Sequence, residues 1–317
     1  MESKQTAGDS LRRGGGAIPG TPDEPAYLLS FPRPSTIPVL ISVPHAGRAY
    51  PPTLLERMRH PGFAAIRLED RHVDRVAEAV AAATGAALLV ARAPRAMLDL
   101  NRAVEDVDWG MIARSTRSEA GEGPLIAGRR ARSGLGLIPR RLPGLGEIWK
   151  RRHEDTELEA LIAEIHAPYH AALEAALDGL HRRWGAALLL DLHSMPPLSA
   201  RDAPAAEFVL GDRFGATCSG AVVAAAFAWF AQGGRLAAHN RPYAGGYILE
   251  RHARPGKGIH ALQLEIDRAS YLDARLVEPG NGFADMVEFL AGLVRQLAGE
   301  VAALGGTDSG SWAIAAE

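Results

Sequence analysis

Short apolar runs bounded by Gly or Pro alternate along this chain with stretches of helical periodicity, and that alternation restricts the fold more than any other feature. Val39–Val43, Ala87–Ala91, Leu188–Leu192, Phe208–Leu210, Gly246–Leu249 and Ala261–Ile266 read as strands. His72–Thr84, Leu158–Trp184, Gly220–Gln232 and Phe283–Leu304 read as helices, with Gly85 and Gly185 as stops. A strand that is apolar along its whole length needs cover on both faces. The pattern therefore predicts an α/β chain with a mostly parallel, covered sheet.

The organisation follows from where this pattern starts and stops. Residues 1–26 mix charges with Gly and lack the apolar stretch of a secretory signal, so they read as a flexible leader. Residues 27–304 read as one domain, and the Gly and small polar residues of 305–317 as a flexible tail. Within the domain, 110–152 is an excursion rich in Arg, Gly and Pro that carries Arg129, Arg130, Arg132, Arg140 and Arg141. Two readings of it stay open, a cover over the active site or a solvated insertion. The longest charge-free stretch, Ala216 to Gly234, has an apolar centre too short for the ~20 residues of a membrane span, and reads as a buried helix.

Charge and cysteine content narrow the chemistry. With 35 Lys and Arg against 37 Asp and Glu the net charge is −2, which gives no global pull toward nucleic acid or an anionic membrane. Cys218 is the only cysteine, excluding an intrachain disulfide, a thiolate zinc finger and an iron–sulfur cluster. A reducing, cytoplasmic setting is the expectation.

Unusual polar residues fall just after apolar runs, at the carboxyl ends of predicted strands, where open α/β sheets collect their functional groups. Val39–Val43 runs into Pro44 and His45, and Leu188–Leu192 contains Asp191 and leads to His193 and Ser194. Two imidazoles delivered to equivalent strand ends suit a metal, and Asp191 is placed to orient either ring. Without a thiol, such an ion wants a carboxylate as third ligand. Glu69 and Asp70 are the candidates, although acids at a helix start are also common caps. In 259–268 the pattern alternates, placing Leu262, Leu264 and Ile266 on one face with His260, and Gln263 and Glu265 on the other, and a carboxylate within this apolar strand is either salt-bridged or raised in pKa and able to act as a base. His260, on the apolar side, reads as structural. Asn101 and Arg102, in Asp99-Leu-Asn-Arg, form a carboxylate clamp or a catalytic carbonyl polariser, or else Arg102 closes an ion pair with Asp99 or another acid, and Arg241 is a second anion-binding candidate.

The segments SVPHAGRAYP, LEDRHVDRV, LDLNR, APYHAAL, LDLHSMP, VLGDRFGATC, NRPYAGGYI and IHALQLEIDRASYLD, in this order, resemble the N-formylglutamate amidohydrolase family from about residue 37 to about 273. The resemblance implies a three-layer α/β/α fold with a mixed, mostly parallel sheet, similar to zinc carboxypeptidases and aspartoacylases. It implies one zinc ion held by His45, Asp70 and His193, Glu265 as general base and proton shuttle, and Asn101, Arg102, Arg241 and Arg268 around a small anionic N-acyl amino acid. Asp70 is preferred over Glu69 because relatives keep an acid at its position. The sequence departs from the carboxypeptidase His-x-x-Glu pattern, having Arg48 three residues after His45. Its PYAGG form, with Arg268 and Tyr271, differs from some histidine-utilisation deformylases. The implied reaction is hydrolysis of N-formyl-L-glutamate to formate and L-glutamate. The alternatives are an amidase for another N-acyl amino acid and a non-catalytic dicarboxylate-binding protein. A serine hydrolase using Ser194 is disfavoured, since Ser194 is not in a Gly-x-Ser-x-Gly elbow.

Overall fold

A computed structural model describes residues 10–21, 23–113, 129–199 and 205–306. One eight-stranded sheet divides the described residues into two layers of helices. In chain order its strands are β1 (Ser10–Gly15), β2 (Tyr27–Pro32), β3 (Val39–Val43), β4 (Ala87–Ala91), β5 (Ala187–Met195), β6 (Phe208–Gly211), β7 (Ala237–His239) and β8 (Ile259–Asp267). Across the sheet the order is β1-β2-β4-β3-β5-β8-β6-β7. The central four, β4, β3, β5 and β8, are parallel, and β6 is parallel to β7. The pairings β1 with β2, β2 with β4, and β6 with β8 are antiparallel, so the sheet is mixed and mostly parallel, as expected.

The period of two in the strands assigns the layers. Val39, Ile41, Val43, Leu188, Leu190, Leu192, Leu262, Leu264 and Ile266 pack against three helices, α2 (Val73–Thr84), α4 (Gly220–Gln232) and α6 (Phe283–Leu304). Leu40, Leu89, Leu189 and Ala261 face the other layer, built on α3 (Ala167–Trp184) through Tyr169, Leu173 and Leu177. Each such leucine contributes about 1.5–3 kcal/mol by burial, and a charge at Leu190 or Leu264 would break the sandwich. A short helix, α1 (Pro61–Leu68), leads into Glu69 and Asp70.

Several expectations are corrected. Gly246–Leu249 is not a strand but the start of helix α5 (Tyr247–His252). A four-residue apolar run does not distinguish the two, and side chains take its amides here: Gly246 N–H donates to Gln263 and Ile248 N–H to Asn101. Part of the predicted leader is a sheet strand, because β1 pairs residue for residue with β2. Positions 1–9 and 307–317 of the predicted leader and tail lie outside the described residues. The helix expected over Leu158–Trp184 is Asp155–Leu161, a π turn at Ile162–His166, and α3. Of the 110–152 excursion, 114–128 lies outside the described residues. The remainder is not a solvated insertion, since Leu137, Ile138, Ile148 and Trp149 are buried in the α3-side core. Among the described residues no helix is long and apolar enough to cross a membrane.

Candidate active site

Because β3, β5 and β8 are parallel neighbours, their carboxyl ends share one edge of the sheet. His45 follows β3 directly, and the chain then passes so close to the Ala93 carbonyl that a Cβ on Gly47 would collide with it. On β5, Asp191 and His193 point to the α3 side, opposite the apolar Leu190 and Leu192. On β8 the partners in register are Gln263 beside Asp191 and Glu265 beside His193. Asp70 is brought in from the loop after α1, where its N–H donates to the His45 carbonyl at 2.9 Å. All of these side chains are buried.

His45, Asp70 and His193 converge so that one donor atom from each lies within 4.8 Å of the others. His45 Nδ1 is 3.6 Å and His193 Nδ1 3.0 Å from Asp70 Oδ2. The far side of each ring is fixed by a carboxylate: His45 Nε2–H donates to Asp99 Oδ1 at 2.7 Å and His193 Nε2–H to Asp191 Oδ2 at 2.9 Å. Asp191 is held in turn by the Ser42 hydroxyl, and Asp99 by the guanidinium of Arg95 and the N–H of Asn101. A carboxylate only accepts hydrogen bonds, so both rings carry a proton on Nε2 and turn Nδ1 toward Asp70. A lone pair on Nδ1 facing a carboxylate oxygen at 3.0 Å needs a cation between them. Without a metal that cation is a second proton. Burial opposes it on His193, but Asp191, Asp70 and Glu265 override burial and raise the pKa well above the usual range. Asp70 is held well below its usual range, because His193 and His45 outweigh its burial. Two imidazoles, one carboxylate and an outer carboxylate for each ring form the donor set of a zinc-type site, and the residues fit that ion.

Glu265 borders the same cavity, which has a volume of about 240 Å³. Its burial, with a smaller push from Asp70 and against the pull of His193, raises its pKa to about 7. Gln263 Nε2–H donates to it at 2.9 Å, and the Gln263 oxygen accepts from Gly246 N–H. Glu265 has no ion pair among the described residues, so the salt-bridged reading of it does not hold there.

The other expected residues divide. Asn101 lines the cavity, but its amide is built into the frame: Oδ1 accepts from Ile248 N–H at 2.9 Å and Nδ2 reaches Gln263 at 3.4 Å. A Cβ on Gly246 would overlap this amide, so glycine permits the contact. Arg102 also lines the cavity while donating to the carbonyls of Leu135 and Asn101, with Asp99 3.7 Å away. Arg268 donates to Ser194 Oγ, the Glu69 carbonyl and Asp70 Oδ1, so it tethers the loop that carries Asp70. Glu69 pairs with Arg71 at 2.9 Å and stays outside the His–Asp–His group. Arg241 is a correction: it is exposed and absent from the cavity wall. Asn240 adopts a left-handed conformation and its amide donates to Asp212, and two residues after Arg241 the chain brings Tyr243 to the cavity wall. The sequence reading names Asp99 only as an ion-pair partner for Arg102, and neither its bond to His45 nor the part of Arg95 is visible there. Asp99 sits between two cationic neighbours in sequence, Arg95 and Arg102, which masks its contact with a histidine 54 positions away.

The fold and the site define a class: α/β proteins with a metal-competent His–carboxylate–His group and a buried carboxylate at the strand ends. The sequence profile of N-formylglutamate amidohydrolase matches residues 37–272. The chain belongs to the N-formylglutamate amidohydrolase family, and as such it is a hydrolase. It is 29% identical over 281 residues to N-formylglutamate deformylase of Pseudomonas aeruginosa, covering 85% of this chain and 94% of that one. The same figures hold for N-formylglutamate deformylase of Pseudomonas putida. An N-formylglutamate amidohydrolase crystal structure from Ralstonia eutropha superposes with a TM-score of 0.78 at 32% identity, covering 87% of this chain and 98% of that one.

Proposed function

We propose that this protein hydrolyses N-formyl-L-glutamate to formate and L-glutamate, with one zinc ion held by His45, Asp70 and His193. The observation that carries the reading is the apposition of two imidazole Nδ1 atoms with one buried carboxylate, beside the separate buried carboxyl of Glu265. When bound, the ion supplies a Lewis acid that makes water a nucleophile near neutral pH and polarises the formyl oxygen. Glu265, poised at about 7, accepts a water proton during attack on the formyl carbon. As the C–N bond breaks, the same carboxyl returns that proton to the departing amine of glutamate. Asp99 and Asp191 keep both rings in the Nε2–H form. Asn101 and Gln263 hold the Glu265 side of the cavity, and Arg102 and Arg268 face a dianionic substrate. A cytoplasmic setting and a place in histidine degradation belong to the same proposal.

Formate release and bound metal are to be measured on the purified protein and on Glu265→Gln. The variant is expected to retain its metal and lose ~10²–10⁴-fold in turnover. Undiminished turnover in the variant would remove Glu265 as the base, and activity unaffected by a chelator would remove the metal.

A further inference from the structure

The cavity wall contains five guanidinium groups, from Arg67, Arg95, Arg102, Arg130 and Arg268. Three have carboxylates within reach: Arg95 and Arg102 share Asp99, and Arg268 meets Asp70. Arg67 stacks on Phe63 and reaches the Pro143 carbonyl at 3.5 Å. Arg130 has neither a carboxylate nor a hydrogen-bond acceptor for its guanidinium among the described residues.

The main chain around Arg130 is nevertheless anchored. Its carbonyl accepts from Leu135 N–H at 3.0 Å and from the Ser133 hydroxyl at 2.8 Å. The next residue, Ala131, is fully buried and its N–H donates to Asp106. A held backbone therefore carries at the cavity wall an exposed cation with no carboxylate partner among the described residues. Arg130 also lies close enough to Arg102 to disfavour its charge; burial is the main cause of the lowered Arg102 pKa, Arg95 and Arg130 add to it, and Asp99 and, less, Asp106 oppose it. Three guanidinium groups crowd a wall whose buried counter-charge, Asp99, already serves Arg95 and His45. Among the described residues no further carboxylate pairs with Arg130, which leaves its charge open to an anionic ligand.

We infer that Arg130 is the residue that reads the side-chain carboxylate of the substrate, and so sets the preference for an acidic over a neutral N-formyl amino acid. The inference rests on the proposed function and deepens it. N-formyl-L-glutamine has the same outline as N-formyl-L-glutamate but a neutral side chain, so the pair isolates the charge. For Arg130→Gln, kcat/KM toward N-formyl-L-glutamate is expected to fall ~10–100-fold, chiefly through KM, the loss of one charge-assisted hydrogen bond. Toward N-formyl-L-glutamine the fall should stay below ~3-fold, while Arg130→Lys recovers part of the loss because it restores charge without the fork.

Equal losses on both substrates, no loss on either, or a charge-selective loss in Arg67→Gln instead would overturn the assignment. Calorimetric titration with L-glutamate and L-glutamine decides the point apart from catalysis. Glutamate binding that weakens in Arg130→Gln supports the inference even if no formate is released, an outcome that would sink only the proposed reaction. Equal affinity of the unaltered protein for the two amino acids would sink the inference.

Discussion

Two groups of buried histidines lie on the α3 side of the sheet, and they are opposites. His45 and His193 stand at strand ends, each with a carboxylate on Nε2 and a third carboxylate in front of Nδ1. His166, His170 and His252 lie on helical turns and face carbonyls and one another. His170 Nε2–H donates to the Leu100 carbonyl, its Nδ1 accepts from His252 Nε2–H, and His166 Nε2–H donates to the Arg102 carbonyl. Burial dominates the second group and, with neighbouring cationic groups, depresses the pKa of His170 to about 2 and of His252 to about 4. In the first group acids override burial at His193. Burial alone therefore does not mark a functional histidine. What faces the second ring nitrogen does.

The sharpest way to break the comparison is to remove a ring from each group. His193→Ala or His45→Ala should abolish stoichiometric metal binding and lower turnover by more than ~10³-fold, whereas Asp99→Asn and Asp191→Asn should weaken metal affinity ~10–100-fold. Metal content by mass spectrometry and competition with a chelator check both. Retention of full metal affinity in Asp99→Asn would show that the outer carboxylate does not orient His45.

Glu265 provides a second contrast, since its burden is expected to appear as stability. Its pKa is raised from 4.5 to about 7, so the folded state holds the proton more tightly than the unfolded chain. That contribution is complete below pH 4.5 and is lost as pH rises through 7. Metal-free Glu265→Gln should thus match the unaltered protein at acid pH and exceed it by about 3 kcal/mol at pH 8. Urea unfolding at both pH values tests this, and no gain at pH 8 would contradict it.

His170 supplies the contrast in the second group. A depressed histidine pKa stabilises the fold above the unfolded value of 6.5, and this is lost as pH falls toward about 2. The protein should lose about 1.4 kcal/mol per pH unit from this group below pH 6.5. His170→Leu should remove that slope while costing about 1–3 kcal/mol at neutral pH for the unpaired Leu100 carbonyl, with metal stoichiometry intact. Loss of metal from His170→Leu would show that the two groups are not separate.

The strands that carry the site were legible in the sequence because each is apolar throughout and ends on a polar residue. Val39–Val43 before His45, and Leu188–Leu192 around Asp191, need no partner to be recognised. Asp70 and Glu265 stood out as acids in otherwise apolar or helix-starting contexts. The failures have physical causes. β1 is the edge strand, and β2, paired between it and β4, is half-buried along its whole length and shows no alternation, while Gly246–Leu249 is too short for its period to be read. The local string of Arg241 suits an anion site, but a string does not say which residues line a cavity, and Arg241 is exposed and not among those that do.

By itself the sequence determined the covered parallel sheet, the strand-end histidines and the absence of sulfur ligands, because apolar runs, periodicity and composition are local quantities. Only the tertiary structure decided that Asp99 belongs to His45 and Asp191 to His193, that Asp70 rather than Glu69 meets both rings, and which guanidinium groups remain unpaired at the cavity. Those outcomes depend on distances between residues far apart in the chain, set by strand order and register, and electrostatic pairing acts through those distances.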